Sequence, residues 1–256
     1  MKWVTLFILL SVLAGLSFTL DKHKPVFYII GDSTVKNGDG TGKNNQVGWG
    51  TVIDVYFDTS RISVRNHAIG GRSSRTFITD GRWDKILETL TKGDYVIMQF
   101  GHNDASPLDD TARARGTIKG IGDDSIEIYN PIRKMKETVY SYGWYMRKYV
   151  NEAKAKGAIP IICSPVPRDN WKNGKIIRND YVSWAKQVAE QTGAFYIDLQ
   201  ELIALQYEKM DTATVNAFFP ADKTHTNRDG AVLNAQEVVA GIKELKKCDL
   251  KKFLVQ

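Results

Sequence analysis

Five short stretches of the 256-residue chain are apolar almost without interruption: VFYII (26 to 30), ISVRNHA (62 to 68), YVIMQF (95 to 100), IPIICSPV (159 to 166) and AFYIDL (194 to 199). A strand that is apolar on both faces belongs inside a parallel sheet with helices on either side. Helical patterns separate the five. GWGTVIDVYF follows the first strand after a Gly- and Asn-rich loop, and RWDKILETLT precedes the third. IRKMKETVYSYGWYMRKYVNEAKAKG is expected to be one long helix closing on Gly157 as C-cap. YVSWAKQVAEQTG, LIALQYEKM and DGAVLNAQEVVAGIKELKK complete the set. This alternation predicts successive βαβ units in one doubly wound α/β sheet. Residues 105 to 130 carry no clear period and are long for a plain connection, which predicts a functional loop or a mobile one.

The first twenty residues stand apart. MKWVTLFILLSVLAGLSFTL has one early lysine, an apolar run and small closing residues, the pattern of a secretory signal peptide. The run is short for a membrane anchor, which takes ~20 apolar residues. The expectation is a signal peptide over 1–20, one domain over 21–256, a secreted or periplasmic protein, and no stable membrane span after signal removal. Lys and Arg number 35 against 29 Asp and Glu, a net charge of +6. The basic residues are interspersed with acids except in KELKKCDLKK, which reads as a solvated helix end and not a nucleic-acid patch. Of the two cysteines, Cys163 falls in a buried strand, and whether it pairs with Cys248 is not readable from sequence. No Cys/His cluster has zinc-ligand spacing.

Ligands of open α/β sheets bind beyond the carboxyl ends of the strands. There the chain places Gly31-Asp32-Ser33-Thr34, then NHAIGGRSSRTF with Gly71 and Arg72, then GHND with Asn103, and near the C-terminus FPADKTHTN with Asp222 and His225. Singly, each is ordinary: turns use Gly, Asp and Ser, and His102 suits a hydrogen-bonded structural role. GDGTGKN fails as a phosphate loop, because Asn37 and Asn44 replace the required glycine and hydroxyl. A G-x-S-x-G elbow is also missing. Together the clusters supply what ester hydrolysis needs. Ser33 can be the nucleophile, His225 its base, and Asp222 the group orienting that base. The N–H groups of Ser33 and Gly71 with the Asn103 amide can form an oxyanion hole. Asp32 is expected to bond the backbone of its own turn, with Thr34 and Thr224 as supports. Arg72, Arg75, Arg168 and Trp171 follow strands and are candidates for substrate contact, arginine by pairing with a carboxylate and Trp171 by stacking on a sugar. Trp49, Trp83, Trp144 and Trp184 fall in helical patterns and read as core or interface.

GDST, the glycine of GGRSSRT, GHND and DKTH, in this order over residues 31 to 225, resemble the four blocks of the SGNH (GDSL-like) hydrolase superfamily. The longer matches, with SPVPR after the fourth strand, are similar to its rhamnogalacturonan acetylesterase branch. The resemblance implies a flavodoxin-like three-layer fold with a five-stranded parallel sheet. It implies a serine esterase that removes acetyl groups from pectic polysaccharide with no metal or cofactor. Acetylated xylan or a lipid ester is the alternative substrate, and a non-catalytic polysaccharide-binding protein the alternative class.

Overall fold

The computed structural model describes residues 24–255, so the expected signal peptide lies outside the described residues. In chain order the elements are β1 (Val26–Gly31), β2 (Ser63–Asn66), α1 (Ser74–Thr79), α2 (Arg82–Leu87), β3 (Tyr95–Gln99), β4 (Ser125–Asn130), β5 (Met135–Tyr140), α3 (Tyr142–Ala155), β6 (Ile159–Cys163), β7 (Trp171–Lys172), β8 (Lys175–Ile176), α4 (Asp180–Thr192), β9 (Phe195–Ile197), α5 (Leu199–Tyr207), α6 (Thr212–Ala217) and α7 (Arg228–Glu244). The five predicted strands form one parallel sheet in the order β2-β1-β3-β6-β9. The order reverses between β1 and β3, and that switch point opens a crevice beyond the strand ends.

The continuous apolar strands do what their composition requires. In β1, Phe27 and Ile29 enter a core with α5, α6 and α7, while Val26, Tyr28 and Ile30 enter a second core with α1 to α4. Each fully buried Ile or Phe contributes about 1.5–3 kcal/mol, so strands covered on both sides anchor the fold. Trp49 and Trp83 are fully buried, whereas Trp144 and Trp184 are only partly so, Trp144 stacking on Tyr140 at 3.9 Å. Cys163 and Cys248 are both free and buried.

Two expected helices are not found as such. GWGTVIDVYF forms two separate 3-10 turns, Trp49–Thr51 and Asp54–Tyr56. Gly48 lies so close to Val35 that an added Cβ would sit 2.2 Å from its carbonyl carbon, and the β-branched run Thr51-Val52-Ile53 disfavours a continuous helix. The long helix begins only at Tyr142, and residues before it form the antiparallel hairpin β4–β5. In β5 Glu137 and Val139 are buried while Lys136 and Thr138 are exposed, a period of two. Asn130 makes the turn, its Oδ1 accepting from Ile132 N and Arg133 N at 3.0 Å each. Ser141 then caps α3 by accepting from Trp144 N at 3.0 Å.

Arg75 does not border the cleft, contrary to expectation. It is fully buried at 0% exposure, with Nε donating to Glu137 Oε1 at 2.7 Å and Nη1 donating to the carbonyls of Leu108 and Gly116 at 2.9 Å each. It thus pins the hairpin and the segment before it onto α1. Removing one partner of a buried pair strands the other charge. Arg75→Met should therefore destabilise the fold by about 3–5 kcal/mol in urea titration, and an unchanged midpoint would contradict the pinning role.

Candidate active site

The turn after β1 is built around one buried carboxylate. Asp32 Oδ1 accepts from Thr34 N at 2.9 Å and Thr34 Oγ1 at 2.7 Å, the expected Asx bond. Its Oδ2 meets His102 Nδ1 at 3.2 Å, and His102 Nε2 donates to the Val166 carbonyl at 3.0 Å. Gln99 Nε2 donates to Thr34 Oγ1 at 2.6 Å, and Gln99 Oε1 accepts from Trp49 Nε1 at 2.8 Å. Burial alone would raise the Asp32 pKa, but His102 and the Thr34 donors outweigh it and hold the carboxyl below its usual range. His102 is the hydrogen-bonded structural histidine that its sequence position suggested.

This framework presents Ser33 at the crevice. Ser33 Oγ lies 2.8 Å from His225 Nε2, and His225 Nδ1 lies 2.7 Å from Asp222 Oδ2. Asp222 Oδ1 accepts from the N–H groups of Thr224 at 2.6 Å and His225 at 2.9 Å, while its Oδ2 accepts from Gln46 Nε2 at 3.2 Å. Burial pushes the Asp222 carboxyl up, but the His225 ring and these backbone donors prevail and lower it. An ionised Asp222 fixes the proton of His225 on Nδ1, leaving Nε2 to accept from Ser33.

The expected oxyanion donors also gather here. Gly71 has φ +78°, a left-handed backbone that suits glycine. The Asn103 amide donates to the Arg72 carbonyl at 2.8 Å, which ties the end of β3 to the Gly71 loop. Among the described residues, neither Ser33 N–H nor Gly71 N–H has a protein acceptor. Ser33, Gly71, Asn103 and His225 all line one cleft of about 780 Å³.

Arg72 and Arg168 line the same cleft. Arg72 is held by Asp80 at 2.6 Å, and Arg168 Nη1 donates to Thr224 Oγ1. Trp171 is not among the lining residues; its Nε1 donates to Asp169 Oδ1 at 2.8 Å and its ring packs on the core. Sequence reasoning missed Gln46, Arg113 and Arg115, which also line the cleft. Each had a local signal: Gln46 sits just after a Gly- and Asn-rich loop, and Arg113 and Arg115 fall in the aperiodic segment 105 to 130. Among the described residues no group of three or more His, Cys, Asp or Glu could hold a metal ion.

A parallel sheet with Ser, His and Asp at its switch point and three candidate oxyanion donors beside them defines the SGNH class of α/β hydrolase. Residues 29–233 match the GDSL-like Lipase/Acylhydrolase family. The chain belongs to that family and is a serine esterase. It is similar to the rhamnogalacturonan acetylesterase of Emericella nidulans, 34% identical over 80% of this chain and 82% of that one. It is equally similar to the probable rhamnogalacturonan acetylesterase YesY of Bacillus subtilis, 34% identical over 85% of this chain and 92% of the other. The crystal structure of YxiM from Bacillus subtilis superposes with a TM-score of 0.69 at 27% identity, covering 86% of this chain and 56% of that longer one. The fold is also that of the acetylxylan esterase Axe2 from Geobacillus stearothermophilus, with a TM-score of 0.57, 17% identity, and 87% and 95% of the two chains covered.

Behind Asn103, Asp104 is fully buried and accepts from Ser74 N at 3.1 Å and Ser74 Oγ. Burial, aided by the charge of Asp32, overcomes these donors and raises its pKa to about 7. The folded state then binds this proton more tightly than the unfolded chain. The resulting stability is complete below the ordinary carboxyl value of 3.8 and is lost as pH rises through about 7. Asp104→Asn should flatten the fall in unfolding free energy across that window. Parallel stability profiles for the two proteins would contradict the assignment.

Proposed function

We propose that the protein is a carbohydrate acetylesterase acting on acetylated pectic polysaccharide, rhamnogalacturonan in particular, through a Ser33–His225–Asp222 acyl-enzyme mechanism. The observation that carries the reading is the unbroken relay from Ser33 Oγ to His225 at 2.8 Å and from His225 to Asp222 at 2.7 Å. Ser33 Oγ attacks the acetyl carbonyl as its proton passes to His225 Nε2. The carbonyl oxygen gains the negative charge, which the N–H groups of Ser33 and Gly71 and the Asn103 amide stabilise. His225 returns the proton to the departing sugar oxygen, leaving acetyl-Ser33. Water, deprotonated by His225, then releases acetate and restores the hydroxyl. Asp222 holds the imidazole tautomer and stabilises the imidazolium formed in each half-reaction.

The lining of the cleft supports a sugar substrate over a lipid. Among the described residues its larger apolar side chains are only Ile69 and Ile132, against four arginines, Arg72, Arg113, Arg115 and Arg168. Guanidinium groups match carboxylates bidentately, which favours an acidic polysaccharide over neutral xylan. The similarity to rhamnogalacturonan acetylesterases points the same way. The leader-like segment over 1–20 supports export to where such polymers are met.

Acetate release from a panel of acetylated pectins and xylans tests the assignment. Ser33→Ala should abolish release. Asn103→Ala should lower turnover by about 10²–10³-fold, equivalent to ~2.7–4 kcal/mol of barrier. Ser33→Ala protein that kept the wild-type rate would refute the mechanism, and preferential hydrolysis of acetylated xylan would refute the substrate.

A further inference from the structure

Among the described residues six arginines are less than fully exposed: Arg72, Arg75, Arg82, Arg115, Arg147 and Arg178. Five of them have a carboxylate oxygen at 2.5 to 3.7 Å. That is the ordinary way to keep a guanidinium partly out of water, because desolvating an unpaired charge is costly. Arg115 is the exception. Its Nε donates to Ser106 Oγ at 3.0 Å and its Nη1 to the Gly71 carbonyl at 3.2 Å, both neutral acceptors. Burial and the neighbouring Arg113 lower its pKa, and Asp110, Asp32 and Asp104 offset this only at a distance. Its Nη2 has no protein acceptor among the described residues, and the side chain lines the catalytic cleft.

The position is as informative as the missing partner. Arg115 donates to the carbonyl of Gly71, whose N–H is a candidate oxyanion donor, so the guanidinium and that donor share one residue. A Cβ added to Gly71 would lie 3.5 Å from Arg115 Nη1. The segment bearing Arg115 is fixed by Arg75, which donates to the Gly116 carbonyl at 2.9 Å. Arg113, exposed and also without a carboxylate partner among the described residues, lies on the same wall. A guanidinium held by two neutral acceptors, with a third nitrogen free on the cleft wall, suits an anion supplied from outside.

We propose that Arg115, assisted by Arg113, is the specificity-determining residue for a sugar carboxylate next to the acetylated residue, so that a uronate in the substrate completes the missing ion pair. This rests on the carbohydrate acetylesterase reading and deepens it by assigning the acidic group to one side chain. Docking that carboxylate would also steady the Gly71 loop, since one guanidinium would hold both.

The test uses the full chain and separates the two claims. Trigalacturonate is titrated calorimetrically into Ser33→Ala protein, alone and combined with Arg115→Gln or Arg115→Lys, and its fully methyl-esterified form is titrated in parallel. Losing one charge-assisted contact should weaken trigalacturonate binding about tenfold or more in the Arg115→Gln protein, with Arg115→Lys intermediate. Methyl esterification should cause a similar loss in the Arg115 protein and little further loss in Arg115→Gln. Acetate at the same concentration should not displace trigalacturonate. Equal affinity for the acid and its ester in the Arg115 protein would overturn the proposal, as would displacement by acetate alone. Should Arg115→Gln fail to fold, Arg115→Lys and the ester comparison decide the matter. Acetate release from acetylated pectin without any dependence on free carboxylates would sink the subsite and spare the esterase reading. Arg115-dependent binding with no acetate release from any polysaccharide would do the reverse.

Discussion

The site depends on a single buried carboxylate. Asp32 directly follows β1, is fully buried, and its two oxygens have different partners. Through Thr34 and Gln99 it is joined to Trp49 and to β3. Through His102, three residues beyond β3, it is joined to the Val166 carbonyl beyond β6. Three neighbouring strand ends are thereby locked to one group, and Ser33 and Asn103 are the residues next in sequence to its two anchors. A carboxylate in such a place is tolerable because both of its oxygens are hydrogen-bonded, one to a hydroxyl and a backbone N–H, the other to an imidazole. The same hydrogen bonds that satisfy the buried carboxylate hold Ser33 and Asn103 in a common frame.

The other half of the site arrives from the far end of the chain and is clamped separately. Val47 N donates to the Thr226 carbonyl at 2.7 Å, and Thr226 Oγ1 donates to the Val47 carbonyl at 3.1 Å. Gln46, one residue earlier, donates to Asp222, and its Oε1 accepts from Asn37 Nδ2 at 2.5 Å and Asn44 Nδ2 at 2.9 Å. The Gly- and Asn-rich loop after β1 bridges the serine turn to the histidine turn. Asn227 caps α7 two residues beyond His225, which stops the helix from extending into the turn that aims the ring.

Much of this was legible in the sequence because it follows from local chemistry. Strands apolar on both faces can only sit between helix layers, and β1, β3 and β6 are those strands, with the partly buried β2 and β9 at the two edges. Ser33, Gly71, Asn103, Asp222 and His225 could be picked out because strand ends concentrate polar residues at one edge of a parallel sheet. What escaped was decided by tertiary partners. The segment before α3 has an acceptable helical pattern, yet Glu137 must face inward to meet Arg75, which selects a strand with alternating burial. Arg75 and Arg115 look alike in sequence, both lying in polar stretches beyond strand ends. One is neutralised beneath a hairpin and the other is left facing the cleft. Only the spatial position of a single glutamate tells them apart.

The proposed catalysis requires that Ser33 be the group His225 activates. Intact-protein and peptide mass spectrometry after exposure to a serine-directed phosphonate tests this most directly. One adduct, located on Ser33 and formed far more slowly in His225→Ala protein, is the predicted result. Rapid labelling at another serine, or labelling of Ser33 at the same rate without the imidazole, would contradict it.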